Sequence, residues 1–352
     1  MNSSLKESPG KSLSLIVCTY NRATEVMCLL KSVEQQTRIP DEILIIDASE
    51  GGETKAAIDS FNSPALGKRI IYHKVSDDQR GLTRQRNLGI RKASCDLIAF
   101  LDDDVVLEPK YFTAVIECFE SHGEAIGVGG YINSSLQWDK VDPSSPIRLT
   151  RFRSGEWERR EDIRWVIRKL LRLDSPFPPG WISESGHGRT PGSIPPDGLD
   201  HEVQILMGGA STWKREVFER ISFSSYFEGY GLYEDFDFTI RASKLGKLFL
   251  CTRAQLDHYH APSGRPNYFR YGIMVVRNGW YVWRVQWPNP STNARFKWWA
   301  VTVLLTLFRL IDFRPSAIRK AIPEGAGRVY GLLSLIFRVP RHDEKGDVIP
   351  KI

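Results

Sequence analysis

Short apolar runs alternate with amphipathic segments along the amino-terminal third of the chain. The first run, residues 13–18, leads into polar residues 19–22, after which Val26, Leu29 and Val33 recur at helical spacing. A continuous apolar run of this length is typical of a strand buried on both faces of a parallel sheet. The pattern predicts strands at residues 13–18, 42–47, 69–74 and 96–101, and helices at residues 23–36, 53–61 and 82–93.

This alternation of strand and helix predicts an α/β domain built on a doubly wound, mostly parallel sheet. Ligands bind such sheets outside the carboxyl ends of the strands. We therefore expect binding residues among residues 19–22, at Asp47 and in the triplet Asp102, Asp103 and Asp104, each of which follows or ends a predicted strand.

The pattern changes after Tyr131. Residues 132–203 combine a basic, tryptophan-containing segment at about residues 157–173, which we predict as a helix, with a stretch rich in proline, glycine and serine at residues 174–196. We interpret this region as an insertion or a lid. Regular alternation then resumes with predicted helices at residues 214–220 and 236–245 and a strand at residues 247–251.

The carboxyl-terminal region, residues 266–352, is rich in aromatic and basic residues, and we predict it to be helical. Residues 298–308 form an eleven-residue apolar run between Lys297 and Arg309, which is too short to cross a bilayer. A second apolar segment, residues 326–337, also has arginines near its ends. Two interpretations stay open: helices that lie in a membrane interface with basic flanks, and helices buried in the core.

The charge balance bears on the partners of the protein. The 352-residue chain carries a formal charge of +6, and many of its basic residues lie at residues 148–172 and after Phe296. Such clusters suit an anionic nucleotide or an anionic lipid surface. Because no nucleic-acid-binding module accompanies them, we expect no nucleic acid partner.

Cysteine usage and the amino terminus bear on location. The five cysteines are scattered and form no CxxC pair, which favours reduced, buried thiols over a disulfide or zinc framework. The first eleven residues are polar, and the apolar run that follows is too short for the core of a signal peptide. We therefore expect a cytoplasmic protein, in peripheral contact with the cytoplasmic face of the membrane if the carboxyl-terminal helices are interfacial.

Three consecutive carboxylates end the fourth predicted strand, and they would repel one another unless a cation compensates them. Because side chains alternate along a strand, Asp102 and Asp104 point the same way and can face one ion. Oxygen ligands suit Mg²⁺ or Mn²⁺; the alternative is a solvated acidic turn. His258, which follows the last predicted strand, is a further candidate metal ligand or else a structural histidine.

A second acidic site, Glu234-Asp235, lies between a glycine- and tyrosine-rich loop at residues 226–233 and the predicted helix at residues 236–245. A carboxylate at the start of a helix is often only a cap. Beside such a loop it is also a candidate general base held in a binding cleft.

Six short motifs follow one another along roughly residues 12–285. They are Ser14-Leu-Ile-Val-Cys-Thr-Tyr-Asn-Arg22, Ile45-Ile-Asp47, Gly81-Leu-Thr-Arg-Gln-Arg-Asn-Leu-Gly89, Phe100-Leu-Asp-Asp-Asp104, Met207-Gly-Gly-Ala210 and Tyr233-Glu-Asp-Phe-Asp237. Each is weak alone, but six in this order are specific. The chain resembles glycosyltransferase family 2, whose members are inverting enzymes with the GT-A fold that use nucleotide sugars.

The resemblance implies which residues bind the donor. Thr19, Tyr20 and Asp47 would hold its base and ribose, and Asn21 and Arg22 would be further donor-binding residues. Two arginines on the next motif, Arg84 and Arg86, are alternatives for a position near the diphosphate.

The resemblance also implies the catalytic roles. Asp102, Asp103 and Asp104 would be the family's aspartate motif, which binds the donor and the metal. Asp235 would be the base that takes a proton from the acceptor hydroxyl, and Glu234 would lie beside it near the acceptor.

These implications predict a metal-dependent inverting glycosyltransferase that uses Mg²⁺ or Mn²⁺. It would move a sugar from a nucleoside-diphosphate-sugar, with a UDP-sugar as the expected donor, to a hydroxyl of a saccharide or lipid-linked acceptor in cell-surface polysaccharide or glycolipid synthesis. The chain would then divide into a nucleotide-sugar-binding half at residues 12–131, an insertion or lid at 132–203, an acceptor-side half with the base at 204–265, and a helical extension at 266–352.

Three alternatives remain open. A dinucleotide-dependent dehydrogenase needs a glycine-rich phosphate loop after the first strand, where this chain has residues 19–22. A sugar nucleotidyltransferase would need a glycine-rich, basic loop at the same place. A catalytically idle, membrane-docked module would bind the nucleotide but yield no product.

Overall fold

Strands and helices alternate through a computed structural model that describes residues 11–133, 136–227, 229–259, 267–315 and 317–340. The strands are β1 (Leu13–Thr19), β2 (Glu42–Asp47), β3 (Ile70–Lys74), β4 (Leu97–Asp102), β5 (Val105–Leu107), β6 (Ala125–Ile132), β7 (Asp139–Lys140), β8 (Arg151–Ser154), β9 (Trp157–Arg160), β10 (Asp200–Val203), β11 (Ala210–Lys214) and β12 (Lys247–His258). The α-helices are α1 (Ala23–Glu34), α2 (Glu53–Asp59), α3 (Leu82–Lys92), α4 (Tyr111–Ser121), α5 (Ile163–Leu170), α6 (Glu234–Ser243), α7 (Tyr268–Gln286), α8 (Thr292–Leu310) and α9 (Ile318–Phe337).

One large sheet organises these elements. Its strand order is β10-β12-β6-β11-β4-β1-β2-β3, and β5 pairs with β12. Strands β3, β2, β1 and β4 are parallel, whereas β11 runs antiparallel between β4 and β6. The parallel register places Thr19 opposite Asp47 and Cys18 opposite Asp102, so the carboxyl ends of β1, β2 and β4 meet at one edge.

The predicted α/β class is confirmed, and the first four strands and three helices begin and end within two residues of the predictions. The reason is burial on both faces. In β1, β2 and β4 almost every side chain is removed from solvent, so an uninterrupted apolar run is the pattern that a central strand requires.

The predicted helix at residues 157–173 is wrong over its first part. Trp157–Arg160 forms β9, which pairs with β7 and β8 in a small antiparallel sheet, and α5 begins only at Ile163. Gly155 makes the β8–β9 turn with φ of +58°, and Arg153 forms a cross-strand ion pair of 2.7 Å with Glu158. Because charged side chains form these cross-strand pairs, β9 does not show the hydrophobic periodicity from which a strand is predicted.

The predicted helix at residues 214–220 is also wrong. Strand β11 continues to Lys214, and only a short 3₁₀ helix, Arg215–Glu219, follows it. At the end of the insertion, β10 pairs with β12 and so joins the large sheet. The four-part division of the chain stays a prediction.

The carboxyl-terminal helices pack through an aromatic cluster. The ring of Trp283 stacks on that of Trp298 with centroids 5.2 Å apart, and Trp280 meets Trp298 edge-on at 4.9 Å. The outer faces of α8 and α9 expose large apolar side chains, among them Leu307 and Leu333. Within the described ranges, every helix is too short or too polar to span a membrane.

Candidate active site

The loop after β1 is tied to the aspartate triplet. Thr19 Oγ1 donates a hydrogen bond of 2.7 Å to Asp103 Oδ2, and Arg22 Nη1 donates one of 2.8 Å to Asp103 Oδ1. Arg22 Nη1 also lies 3.6 Å from Asp104 Oδ2. Burial raises the pKa of Asp103 to about 6, although Arg22 and Thr19 oppose the shift. Asp103 therefore faces the β1 loop, and Arg22 contacts both Asp103 and Asp104.

Internal hydrogen bonds hold Asp47 at the end of β2. Its carboxylate is fully buried and accepts from the Ser49 backbone N–H at 2.7 Å, from the Ser49 hydroxyl and from the Tyr72 hydroxyl at 2.7 Å. The loop after β1 is linked to these hydrogen bonds, because the Asn21 backbone N–H donates to Ser49 Oγ at 2.8 Å. Tyr20 follows with a hydroxyl contact of 3.3 Å to Glu50. The loops after β1 and β2 thus form one surface at the sheet edge.

Asp102, Asp104 and His258 come together as the sequence predicts. One ligand atom of each lies within 4.8 Å of the others, with His258 Nε2 3.0 Å from Asp104 Oδ1 and 3.9 Å from Asp102 Oδ2. The pairing of β12 with β5, which sets His258 opposite Val105, brings the imidazole to the triplet. Two carboxylates and an imidazole suit Mn²⁺ or Mg²⁺. The Asp102 side chain is 35% exposed, which leaves one side of the group accessible to a ligand.

A second group, Cys118, Asp200 and Cys251, also brings ligand-type atoms within 4.8 Å of one another. Its carboxylate already has partners, because Asp200 Oδ2 lies 3.2 Å from Arg253 Nη2 and 3.3 Å from His122 Nε2. Arginines also lie near the Asp102 group, at 3.6 Å from Asp102 and from Asp104. We take the Asp102 group as the candidate metal centre because it lies where the carboxyl ends of β1, β2 and β4 meet and its Asp102 side chain is accessible.

The acidic pair Glu234-Asp235 opens α6, after Tyr233 in the left-handed region at φ 71°. The Asp235 carboxylate accepts from the backbone N–H of Gly208 at 3.1 Å and of Phe236 at 2.8 Å. These two donors fix the carboxylate in one orientation, as a positioned base requires.

Arg86 bridges the two acidic sites. Its Nη1 lies 2.5 Å from Glu234 Oε1, and its Nη2 lies 3.6 Å from Asp102 Oδ1. The guanidinium is buried and packs over the rings of Phe100 and Phe223 at 5.7 and 5.2 Å. A single cation thus joins the end of β4 to the start of α6.

Burial shapes the acidity of this group. Burial and the charge of Asp235 raise the pKa of Glu234 to about 8, against the opposing effect of Arg86. Burial also raises the pKa of Asp235, while the hydrogen bond from Gly208 lowers it. Burial lowers the pKa of Arg86, but Glu234 and Asp102 outweigh that effect, so its pKa is raised and it stays charged. Raised carboxylate pKa values at a cleft are typical of groups that exchange protons.

A family model described as glycosyl transferase family 2 matches residues 14–175. Those residues belong to glycosyltransferase family 2. The glucosyl-dolichyl phosphate glucuronosyltransferase of Haloferax volcanii is 28% identical over 122 residues, which cover 34% of this chain and 38% of that protein. Glycosyltransferase AglE of the same organism is 31% identical over 183 residues, which cover 49% and 57%. The matches thus span between about a third and just over half of these relatives.

Solved structures show the same fold over a longer stretch. The mannosyltransferase PcManGT from Pyrobaculum calidifontis, in complex with GDP-Man and Mn²⁺, superposes with a TM-score of 0.53 at 14% identity, covering 94% of this chain and 88% of that one. This likeness confirms the predicted GT-A-type fold, with the aromatic-rich helices α7, α8 and α9 at its carboxyl end.

The glycines of the segment Met207-Gly-Gly-Ala210 fit between the acidic sites. A Cβ at Gly209 would lie 2.1 Å from a carboxylate oxygen of Asp102, and one at Gly208 would lie 2.8 Å from Arg86 Nη1 and from Asp235 Cβ. Side chains are excluded here, so the glycine pair is itself the sequence signal for this close approach.

The sequence leaves Arg84 and Arg86 as alternatives for the position near the diphosphate and assigns no role to Gln85. Arg86 reaches the acidic sites, whereas the Arg84 guanidinium donates to the backbone carbonyl of Asp78. Buried Gln85 donates from Nε2 to the carbonyls of Thr19 at 3.2 Å and Ile46 at 2.8 Å, and so fastens α3 under the β1 loop. Helical spacing identifies Gln85 as inward-facing, but only the fold supplies its partners.

Proposed function

We propose that this protein is a metal-dependent inverting glycosyltransferase that moves a sugar from a nucleoside-diphosphate-sugar to an acceptor hydroxyl. The contact of Arg86 with both Glu234 and Asp102 carries the proposal, because it holds the neighbour of the candidate base Asp235 close to the candidate leaving-group site. A positioned carboxylate on one side and cation ligands on the other suit direct displacement at one anomeric carbon.

Asp102, Asp104 and His258 would hold the metal. A bound Mg²⁺ or Mn²⁺ supplies positive charge to the diphosphate leaving group. The mixed oxygen and nitrogen donor set fits Mn²⁺ well, and the structural neighbour PcManGT binds Mn²⁺ with its donor.

Asp235 would accept the proton of the acceptor hydroxyl as that oxygen attacks. Its carboxylate is anchored by Gly208 and Phe236, and its raised pKa matches the need of a base to hold a proton transiently. Arg86 would orient Glu234 beside it, so that the acceptor meets two carboxyl groups in fixed positions.

The donor would lie over the joined loops after β1 and β2. Tyr20, Asn21 and Arg22 would line the donor surface, and the buried residues Thr19 and Asp47 would hold its two loops in place through their hydrogen bonds. Asp103 supports the β1 loop through Thr19 and Arg22. A UDP-sugar is the first donor to test. Arg84, on the rim of the same surface, would then serve donor binding indirectly through the loop that contains Asp78.

A glycolipid or polysaccharide acceptor at a membrane surface would complete the activity. The relative from Haloferax volcanii is named for a dolichyl phosphate glycolipid. The exposed apolar faces of α8 and α9, flanked by Arg309, Arg314 and Arg319, support peripheral membrane contact.

A screen of nucleotide sugars tests the function. We expect release of a nucleoside diphosphate from one donor in the presence of Mn²⁺, abolished by EDTA and faster when an acceptor is added. Nucleotide binding without turnover of any donor would instead support the idle module. Release of pyrophosphate from a nucleoside triphosphate and a sugar phosphate would show a nucleotidyltransferase.

A further inference from the structure

A cavity of about 260 Å³ lies between the insertion, the start of α6, and helices α7 and α8. Its walls are mainly apolar and aromatic, including Tyr233, Phe236, Trp283, Trp298 and Leu305. Whole ligand pockets usually measure about 300–1,000 Å³, so this volume suits one part of a ligand.

The cavity lies beside the first turn of α6, although neither Glu234 nor Asp235 lines it. Tyr233 and Phe236, which line it, flank Glu234 and Asp235 on the first turn of α6. A ligand held against these two rings therefore contacts the same helical turn that presents the base.

The cavity also carries an excess of positive charge. Arg189 and Arg328 line it, and among the described lining residues there is no carboxylate. Each arginine shares its acidic partner with a second cation. Glu161 lies 2.7 Å from Arg189 and 3.0 Å from Lys169, and Glu324 lies 2.6 Å from Arg328 and 3.2 Å from Arg309.

A further buried cation, Arg168, adds to this excess of positive charge near the cavity, whereas His187 does not. Arg168 is buried, donates to the backbone carbonyl of cavity-lining His187, and has an Nε atom without a hydrogen-bond partner in the described part of the chain. Burial, Arg168 and Arg328 lower the pKa of His187 to about 3. Its imidazole is therefore neutral near pH 7 and adds no positive charge to the cavity. Buried cations that outnumber their carboxylate partners are costly, and an anionic ligand would offset the excess positive charge.

We propose that this cavity binds the acceptor, and that the acceptor is an anionic amphiphile: a sugar joined through a phosphate to an apolar alcohol. A free hydroxyl of that sugar is the nucleophile, and the phosphate and the apolar chain are the parts that the cavity holds. The chain would lie between Trp283, Trp298 and Leu305, and the phosphate would meet Arg328 and Arg189. This inference rests on the proposed glycosyltransferase function, because it is the transfer reaction that needs an acceptor beside Asp235.

Calorimetry with three soluble probes tests the ligand chemistry on the full chain. Octyl phosphate carries both the chain and the anion, octanol only the chain, and inorganic phosphate only the anion. We expect saturable binding of octyl phosphate, and affinities for the other two that are weaker by a factor of roughly ten or more, since a hydrogen bond to a charged group contributes that much. Equal binding of octanol and octyl phosphate would overturn the proposal.

Matched variants locate the site. Leu305→Trp fills the cavity, whereas Leu307→Trp places the same side chain on the exposed face of the same helix. The first should weaken octyl phosphate binding by a factor of roughly ten, because the chain loses its buried contacts, and the second should not. If Leu305→Trp lowers the melting temperature, Gly279→Leu replaces it, since the nearest atom to a Cβ there is Tyr233 Cε2 at 3.8 Å.

The charge is tested in the same way on α9. Arg328→Gln leaves Glu324 paired with Arg309 and removes one cation from the cavity wall, while Arg319→Gln removes an exposed cation from the same helix. We expect roughly tenfold weaker octyl phosphate binding in the first variant only. Equal affinities in the two variants would contradict the proposal.

Donor hydrolysis separates this inference from the proposed function. Metal-dependent hydrolysis of a nucleotide sugar without octyl phosphate binding would overturn the acceptor site and leave the transferase standing. Octyl phosphate binding without turnover of any donor would overturn the transferase, and with it the assignment of the bound amphiphile as an acceptor.

Discussion

Arg86 touches the end of β4 and the start of α6 at once. Buried on aromatic rings, it has few alternative positions, and its charge lowers the cost of holding Glu234 and Asp102 close together. The chemistry at each carboxylate therefore depends on the same guanidinium.

Asp235→Asn tests the base. Amide oxygen can still accept from Gly208, so the loop should keep its position, but the side chain can no longer take a proton. We expect turnover to fall by a factor on the order of 10²–10⁴ with nucleotide affinity retained. Steady-state kinetics and calorimetry measure the two effects, and Asp59→Asn, at an exposed ion pair with Lys55, is the control. Near-normal transfer by Asp235→Asn would remove Asp235 from the mechanism.

Glu234→Gln tests the raised pKa. Because burial raises the pKa of Glu234 from 4.5 to about 8, the folded protein binds a proton that the unfolded chain has released. The stabilisation from this proton is complete below the unfolded pKa and is lost as the pH rises through the folded one. In EDTA, the urea midpoint of the wild type should therefore fall between about pH 5 and about pH 9 more steeply than that of the variant. Parallel pH profiles would contradict the shift.

Gly209→Ala tests how closely the glycine loop approaches the metal ligands. The new Cβ would lie 2.1 Å from the Asp102 carboxylate, which must move. We expect Mn²⁺ affinity to fall by a factor of roughly 10–100, as for other changes that reorient a metal ligand. Gly123→Ala, with no atom within 4 Å of its Cβ, should bind Mn²⁺ as the wild type does. Titration calorimetry compares the two, and equal affinities would place Asp102 outside the metal site.

The sequence predicts part of this site and misses another part for a physical reason. The sequence predicts that Asp102 and Asp104 face one ion, and both lie with His258 in the structure. The reason differs from strand alternation, because β4 ends at Asp102 and Asp104 lies in the turn before β5. The contact of Arg86 with Glu234 arises from tertiary structure, since their motifs are far apart in the chain. It depends on β11 entering antiparallel between β4 and β6, a pairing that local pattern does not reveal.

Among the elements, helices α7 and α9 approach unusually closely. A Cβ at Gly272 would lie 2.1 Å from the carbonyl oxygen of Glu324, and one at Gly327 would lie 2.0 Å from the carbonyl oxygen of Phe269. These contacts are between backbones, so no side-chain rotation can relieve them. Glycine at these positions sets the distance between the two helices.

Gly272→Ala should therefore destabilise the protein by about 1–3 kcal/mol, because the helices must separate. Gly279→Ala is a control on the same helix, since its Cβ would have only an ordinary contact of 3.8 Å. There the higher helix propensity of alanine should stabilise by up to about 1 kcal/mol. Urea denaturation of both variants measures the difference, and equal stabilities would show that α7 and α9 are not held by this contact.

The two open interpretations of the carboxyl-terminal helices each describe one face. Trp298 on α8 is buried against Trp283, whereas Leu307 and Ile311 farther along are about half exposed or more. An apolar segment that is buried at one end and exposed at the other has no single hydrophobic periodicity. Its sequence is therefore compatible with both interpretations. The sequence does not predict strand β9 because its residues Glu158, Arg159 and Arg160 are charged and give no hydrophobic pattern.

At the scale of the whole molecule, the exposed apolar face of α8 and α9 predicts binding to anionic membranes. Ile311 is 61% exposed and lies between Arg309 and Arg314, a combination that suits the interface of an anionic bilayer. Ile311→Glu should lower the fraction of protein that sediments with phosphatidylserine vesicles by a factor of roughly ten. The substitution replaces an apolar side chain that would enter the bilayer with a negative charge that the lipid repels.

Ile147→Glu provides the matched control for this prediction. Ile147 is 62% exposed, close to the 61% of Ile311, but it belongs to the insertion and not to α8 or α9. Its substitution changes net charge and surface apolarity by the same amount, so a difference between the variants reports the place of the contact. Equal sedimentation of both variants and the wild type would refute membrane docking through this face. Loss in Ile311→Glu alone would place the acceptor cavity, whose wall α8 also forms, next to the bilayer from which an amphiphilic acceptor is drawn.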